Sequence, residues 1–553
     1  MRGIYVGIDV GGTHTDGVAV EGERLLSKAK VPTGPDLRAC TLAALEALLQ
    51  EVSTPEVRRV VLSTTLVTNA VVEGTLEPTG ATLTAGPGLS PELLVFDEHT
   101  RVVPGALDHR GREIAPLDEG AVRDHLDRLA EAGVRVLAVA GKFSVRNPAH
   151  ELRIAELAAA RGFEHVALGH VLAGALNFPR RAATAYLAAG VWRRHAGFVR
   201  AMGEALRGFG ITAPLYLLRA DGGTQFAASF RNPAEAALSG PAASVMGVEA
   251  LASVREETLA LDVGGTTTDV SLFVRGAPLL EPHGATVGPY RTQIRALYTR
   301  STGAGGDSVV AVEDGEIRVG PRREGPPAAH GGPCPTPTDA MVVLGRALGD
   351  VARAGQALAP VARALGLGVE AAAREVLQAF AATVARAARE FVDTVNARPV
   401  YTIHELLEGH RARPTRAVVV GGPARAIAPY VEQALDLPVY VPNHFDVANA
   451  VGAALARVNL EVNLVADTAA GRLSIPEAGV HRTVGRDYGL QAARDDAARA
   501  LMDLAKVHGM LGRPAAVDFA EEEEFRIIEG FRTAGSIYRI RAQIRPGILG
   551  KVE

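Results

Sequence analysis

The sequence predicts an α/β protein with two large lobes and a small C-terminal unit. Three observations carry that expectation. Short apolar runs alternate with long helical stretches, as in layered strands and helices. One glycine–threonine turn occurs twice, in IYVGIDVGGTHTDGVAV from Ile4 to Val20 and in LALDVGGTTTDVSLFV from Leu259 to Val274. After about residue 458 the pattern changes again and ends in FRIIEGFRTAGSIYRIRAQIRPGIL, which alternates as paired strands do. The two turns lie much further apart than any solenoid period, so they mark two lobes built around the same first hairpin.

Taken in order, IYVGIDV, RRVVLST, RVLAVAGKF, PLYLLRA, TLALDVG and RAVVVGG read as buried strands separated by amphipathic stretches. Between Val376 and Val395, the apolar residues Val376, Phe380, Val384, Phe391 and Val395 recur near the helical period. Breaks are expected at Pro32 to Pro35 and at Glu77 to Pro91. The stretch PRREGPPAAHGGPCPTPTDA, from Pro321, is expected to be loop throughout, because neither helix nor ladder tolerates its Pro and Gly content. EEEEF, from Glu521, is expected as a solvated face or loop. The final strands are expected to turn at Ala534–Gly535. The expected division is 1–180 for the first lobe, 181–458 for the second, and 459–553 for a small α+β segment.

Composition narrows the function. The chain has 553 residues, of which 47% are apolar, enough for three or four units with large cores. With 58 Lys and Arg against 62 Asp and Glu, the charge is close to balanced, which argues against a dedicated nucleic-acid binder. The two cysteines, Cys40 and Cys334, lie far apart and form no CxxC, so neither a disulfide framework nor a structural zinc site is expected. No secretory pattern or membrane-length apolar run is evident, so a cytoplasmic protein with no membrane partner is expected.

The chemistry lies in the repeated turn. In each copy an apolar strand ends in Asp, followed by Val-Gly-Gly-Thr and a second strand. Glycine reaches positive φ easily and lets anionic oxygens approach backbone N–H groups, which can form an anion nest. Gly11 and Gly12 in the first copy, and Gly264 and Gly265 in the second, would do this. The hydroxyls of Thr13, Thr15, Thr266 and Thr267 would add donors to phosphate. A carboxylate at the strand end repels phosphate directly but fits through Mg2+, which binds carboxylates, waters and phosphate oxygens together. Asp9 and Asp262 are therefore the candidate catalytic and metal-binding residues. A Gly-Gly hairpin on its own is a weak signal; two copies with D-V-G-G-T-x-T-D are a stronger one. A third element is RAVVVGGPARAIAPYVEQAL, from Arg416, where Gly421 and Gly422 between strand and helix would let a planar base lie against the backbone. Asn449, Ala450, Gly452, Ala453 and Ala454 suit a helix packed tightly on another at a hinge.

In this order, the three elements resemble the phosphate and adenosine motifs of the actin, sugar-kinase and Hsp70-type ATPase superfamily. That resemblance implies a two-lobed architecture with duplicated ribonuclease-H-like cores that holds ATP and Mg2+ between the lobes. More narrowly, STTLVTNAVVEG from Ser63, RADGG from Arg219, LSGPAASVMGV from Leu238, STGAGGDSVV from Ser301 and PTPTDAMVVLGR from Pro335 resemble the hydantoinase A and 5-oxoprolinase family. The resemblance implies ATP-dependent phosphorylation of the carbonyl of a small substrate, such as a hydantoin or 5-oxoproline, followed by hydrolysis or carboxylation. It implies a B-type subunit as possible partner, and an oligomer is expected. In GAGG, Gly303, Gly305 and Gly306 would permit close approach to substrate or nucleotide. His14 stands where an aromatic is common, and Asp307 where a small residue is usual. Asp16 and Asp269 end their turns and are expected to satisfy backbone groups. Cys334 has no neighbour in sequence that would make it a nucleophile, and Asp339 matches the family's TDA. An ATPase switch for a partner enzyme and a small-molecule kinase are the alternative readings.

Overall fold

A computed structural model describes residues 3–397, 411–510 and 516–553. Both expected hairpins form in it, and they match. Ile4–Val10 pairs antiparallel with His14–Glu21, setting Asp9 opposite Asp16. Thr258–Val263 pairs antiparallel with Thr268–Val274, setting Asp262 opposite Asp269. On its other edge each first strand has a parallel neighbour, Val57–Thr64 in one sheet and Arg416–Val420 in the other. The strands are apolar on both faces, as strands covered on both sides by helices must be.

The first sheet has six strands in the order 224–226, 215–218, 57–64, 4–10, 14–21, 24–32. Two of those strands come from beyond residue 180. The chain between them builds a separate parallel sheet, ordered 165–168, 136–141, 79–84, 100–102. The long helix Phe178–Gly208 leads back from it. The second hairpin's sheet runs 277–278, 268–274, 258–263, 416–420, 439–440, with 299–302 also paired to 268–274. The helices Ser239–Leu251 and Ala448–Leu455 share one buried cluster with strands of both hairpin sheets, including Val18, Val61, Ala260 and Val418. They touch backbone to backbone: a Cβ at Gly452 would lie 2.0 Å from the Ala243 carbonyl oxygen. The small residues expected at a tight helix crossing are found at one.

Three local expectations are corrected. Thr79–Thr84, expected as a break, is an interior strand, and a Cβ at Gly80 would lie 2.5 Å from Leu129, so that glycine makes room for a helix rather than a turn. The Pro-rich stretch is not loop to its end, because Pro337–Val343 is a helix. Pro337 occupies its first turn, where the missing N–H costs nothing. The last two strands, Asp518–Glu529 and Arg532–Ile544, turn at Gly530–Phe531 and not at Ala534–Gly535. Gly535 lies within a strand, close against Thr468 and Ala469. The four glutamates form the expected solvated face, on a strand and not in a loop: Glu522 and Glu524 are exposed, and Glu521 and Glu523 pair with Arg541 and Arg539 across the ladder.

The C-terminal residues form an antiparallel sheet ordered 480–483, 472–475, 460–467, 532–544, 518–529. The helix Leu490–Val507 packs on it through Ala493, Ala497, Leu501 and Ala505. Among the described residues, no helix is long and apolar enough to cross a membrane.

Candidate functional site

The tips of the two hairpins meet. A Cβ at Gly265 would lie 3.4 Å from Thr13 Cγ2 and 2.7 Å from Asp307 Oδ2. Each turn is closed by one bond, Gly11 N–H to the His14 carbonyl at 3.0 Å and Gly264 N–H to the Thr267 carbonyl at 2.9 Å. That leaves the amides of Gly12, Thr13, Gly265 and Thr266 as those not used to close a turn. The expected backbone reason for the glycines is corrected here: none of Gly11, Gly12, Gly264 and Gly265 has a positive φ. Clearance replaces it, since a Cβ at Gly11 would lie 2.9 Å from the His14 carbonyl oxygen while Gly12 opens onto empty space.

The loop 303–308 lies along the second hairpin. Gly306 N–H donates to the Gly264 carbonyl at 2.9 Å and Asp307 N–H to the Gly265 carbonyl at 2.7 Å. A Cβ at Gly305 would lie 2.4 Å from the Gly265 carbonyl oxygen, and one at Gly303 would lie 2.6 Å from Pro321 Cβ. The close approach at Gly305 is thus to the hairpin itself. Gly306 adjoins Thr338 and Pro423, which brings the 421–424 turn to the same place. Gly421, at φ 94°, fits against Asp262: a Cβ there would lie 2.7 Å from Oδ1. Gly422 has no atom within 4 Å of its Cβ position, so it is the member of that pair with room beside it.

The carboxylates gather behind the turns. Asp9 is 5% exposed, and its Oδ1 is buried without a hydrogen-bond partner. Burial pushes its carboxyl up to about 7; Asp16 and Asp262 add to the rise, and Ser63 and Asn449 oppose it. Burial also raises Asp262, against hydrogen bonds from Asn449 and Ser244. Asp269 is pushed up to about 6 by burial and by Asp262. Asp16 is held by Lys30 at 2.8 Å. These groups destabilise one another when charged, and a divalent cation beside them would remove the conflict. Among the described residues, no group of three or more His, Cys, Asp or Glu is placed to hold a metal. The buried carboxylates Asp9 and Asp262 fit an ion that takes one or two carboxylates and completes its shell with water and phosphate, as Mg2+ does.

The threonines divide. Thr13 and Thr267 are partly exposed and Thr266 is exposed. Thr15 is buried, with its hydroxyl 2.9 Å from that of Thr33. His14 is exposed beside Thr13, its Nδ1 3.3 Å from Oγ1, and partial desolvation of its ring and the Lys30 charge lower its pKa. Asp339 is structural: buried, it closes a capping box with Thr336 and accepts from the amides of Ala328 and Ala329 at 3.2 and 2.6 Å. The Cys334 thiol donates to Glu324 at 2.8 Å, which pushes its pKa up, the opposite of nucleophile activation. Sequence reasoning missed Asn449 as a ligand-shaping residue. The sequence places it among the small residues of a helix crossing, yet it is the amide in a run of Ala, Val and Gly. Asp307, a departure from the family pattern, stands over Gly265, paired with Arg323 at 3.4 Å.

Two family descriptions match the chain: the hydantoinase/oxoprolinase N-terminal region over residues 5–162 and hydantoinase/oxoprolinase over residues 181–462. The acetophenone carboxylase gamma subunit of Aromatoleum aromaticum is 31% identical over 390 residues, 62% of this chain and 53% of that protein. The caprolactamase subunit alpha of Pseudomonas jessenii is 29% identical over 423 residues, 66% of this chain and 60% of that protein. The chain thus spans somewhat more than half the length of these relatives. A crystal structure of the ATP-dependent caprolactamase from Pseudomonas jessenii superposes with a TM-score of 0.71 at 20% identity, covering 97% of this chain and 87% of that one. With both family regions matched and both hairpins in place, the chain belongs to the hydantoinase/oxoprolinase family.

Proposed function

We infer that this chain uses ATP to phosphorylate the carbonyl oxygen of a cyclic amide, such as a hydantoin or 5-oxoproline. Hydrolysis of the ring follows, by this chain alone or as the A-type subunit beside a B-type partner in an oligomeric assembly. The observation that carries the reading is the pair of Gly-Gly-Thr hairpins meeting at Thr13 and Gly265, backed by the unpartnered Asp9 carboxylate oxygen. The names of the relatives support it, since one is a caprolactamase subunit and its solved counterpart is named ATP-dependent.

A lactam carbonyl is a poor electrophile. In the first step its oxygen bonds to the γ-phosphorus while the bond to the β–γ bridging oxygen breaks and ADP leaves. Water then attacks the activated carbon, the ring C–N bond opens with the nitrogen taking a proton, and phosphate is released. Such a transfer depends on positioning and charge neutralisation. Asp9 and Asp262 would hold Mg2+, which when bound supplies positive charge at the phosphate oxygens. Asn449 orients Asp262. The hydroxyls of Thr13 and Thr266 and the amides of Gly12 and Gly265 are available to donate to phosphate oxygens, and the open space at Gly422 suits the adenosine end.

The test is phosphate release from Mg-ATP by the purified chain across a panel of 5-oxoproline, hydantoins, other lactams and simple ketones. Stimulation by a cyclic amide is expected. A ketone that stimulates in its place would shift the second step from hydrolysis to carboxylation. Unchanged Mg-ATP affinity and turnover in Asp9→Asn and Asp262→Asn would overturn the site.

A further inference from the structure

The strand His165–Leu168, the helix Phe178–Gly208 and the segment 227–233 line a half-open pocket of about 440 Å³, away from the hairpins. Its lining includes no residue of the hairpins, the 303–308 loop or the 421–424 turn. The walls are aromatic. Trp192 stacks on His165 with ring centroids 4.7 Å apart and planes 3° from parallel. Phe230 stacks on His195 with centroids 5.3 Å apart. Val166, Leu168 and Leu172 add aliphatic surface.

Two polar features break this apolar lining. His195 is 5% exposed, and its Nε2 is buried with no hydrogen-bond partner. Burial lowers its pKa to about 4, so the ring is neutral and adds a flat, uncharged face to the lining. At the rim stand Arg200 and Arg231, both exposed and neither in an ion pair among the described residues. No Asp or Glu lines the cavity. A site with flat aromatic walls and two free guanidinium groups matches a flat apolar body with a single negative end.

We propose that this cavity is a binding site for a small aromatic carboxylate, its ring against Trp192 and Phe230 and its carboxylate toward Arg200 and Arg231. The site is separate from the ATP reading and stands or falls without it.

Trp192 is the one tryptophan in the chain, so intrinsic tryptophan fluorescence reports on this cavity alone. Phenylacetate titrated into the full chain should give a saturable fluorescence change. Benzyl alcohol, which lacks the charge, should bind about tenfold more weakly or worse. The Arg200→Gln/Arg231→Gln double variant should weaken phenylacetate by about the same factor. Asp9→Asn should leave the titration unchanged. No saturable response to phenylacetate, or equal affinity for benzyl alcohol, overturns the proposal. If the double variant fails to fold, the comparison of phenylacetate with benzyl alcohol on the native chain decides.

Discussion

Asn449 Nδ2 donates to Asp262 Oδ2 at 3.2 Å, and the same side chain opposes the burial of Asp9. One amide from the helix Ala448–Leu455 thus serves carboxylates from both hairpins. Asn449→Ala removes that donor from buried acids, which costs ~1–3 kcal/mol of stability. It should also raise the KM for Mg-ATP about tenfold, because the carboxylates lose their fixed orientation. Asp9→Asn should behave differently. It removes a charge that Asp16 and Asp262 already oppose, so the metal-free protein should unfold at higher urea while Mg-ATP turnover falls about a hundredfold or more. Urea melts and phosphate-release kinetics separate the two outcomes.

The glycines of the site should fall into two classes. A Cβ at Gly305 meets backbone of the second hairpin at 2.4 Å, where nothing can move aside. Gly305→Ala should therefore lose ~1–3 kcal/mol or more, as overpacking does. Gly12 and Gly422 have open space around them. Gly12→Ala and Gly422→Ala should leave the melting temperature nearly unchanged and still weaken ATP binding, because the added methyl occupies room kept for the ligand. Loss of stability without loss of affinity in these two variants would show that the space serves no nucleotide.

What could be read from the sequence was local. Asp9 and Asp262 announce themselves because a buried strand, an acid and two glycines are contiguous, and a duplicate copy removes much of the ambiguity. What could not be read depends on distant partners. Gly80 looks like a turn residue until Leu129 is seen packed on it, and Gly535 until Thr468 is. Thr15 belongs to the motif, but its hydroxyl is taken by Thr33. Asn449 acquires its role only when the helix that carries it is laid between the two hairpins.

Glu477 provides a test by pH. Its carboxylate accepts from the Asn463 side chain at 2.6 Å and the Asn463 amide at 3.1 Å, yet burial pushes it up to about 7, with Glu461 adding to the rise. The unfolded chain ionises this group near 4.5 and the folded chain near 7. Its contribution to stability is therefore complete below the lower value and is lost as pH rises through the higher one. Glu477→Gln cannot ionise, so relative to it the native chain should lose up to ~3 kcal/mol between about pH 5 and about pH 8. Urea melts of both proteins across that range measure the difference. A difference that stays constant with pH would show that Glu477 does not titrate there.

Residues 459–553 have their own sheet but not their own core. Val462, Leu464, Tyr538 and Ile540 belong to the same buried cluster as Val245, Val248, Ala453 and Leu455. Backbone bonds tie the segments as well: Leu549 N–H to the Leu455 carbonyl at 2.8 Å, Arg457 N–H to the Gly547 carbonyl at 2.9 Å, and Val552 N–H to the Ala250 carbonyl at 3.1 Å. Cutting after residue 458 would expose apolar surface on the helices that join the hairpin sheets and leave buried backbone groups unpaired. The 1–458 fragment should therefore aggregate, and co-expression with 459–553 should restore solubility and Mg-ATP binding. A soluble 1–458 fragment that unfolds cooperatively and binds Mg-ATP would show that the C-terminal segment is an accessory, and that the lobes hold their hairpins together without it.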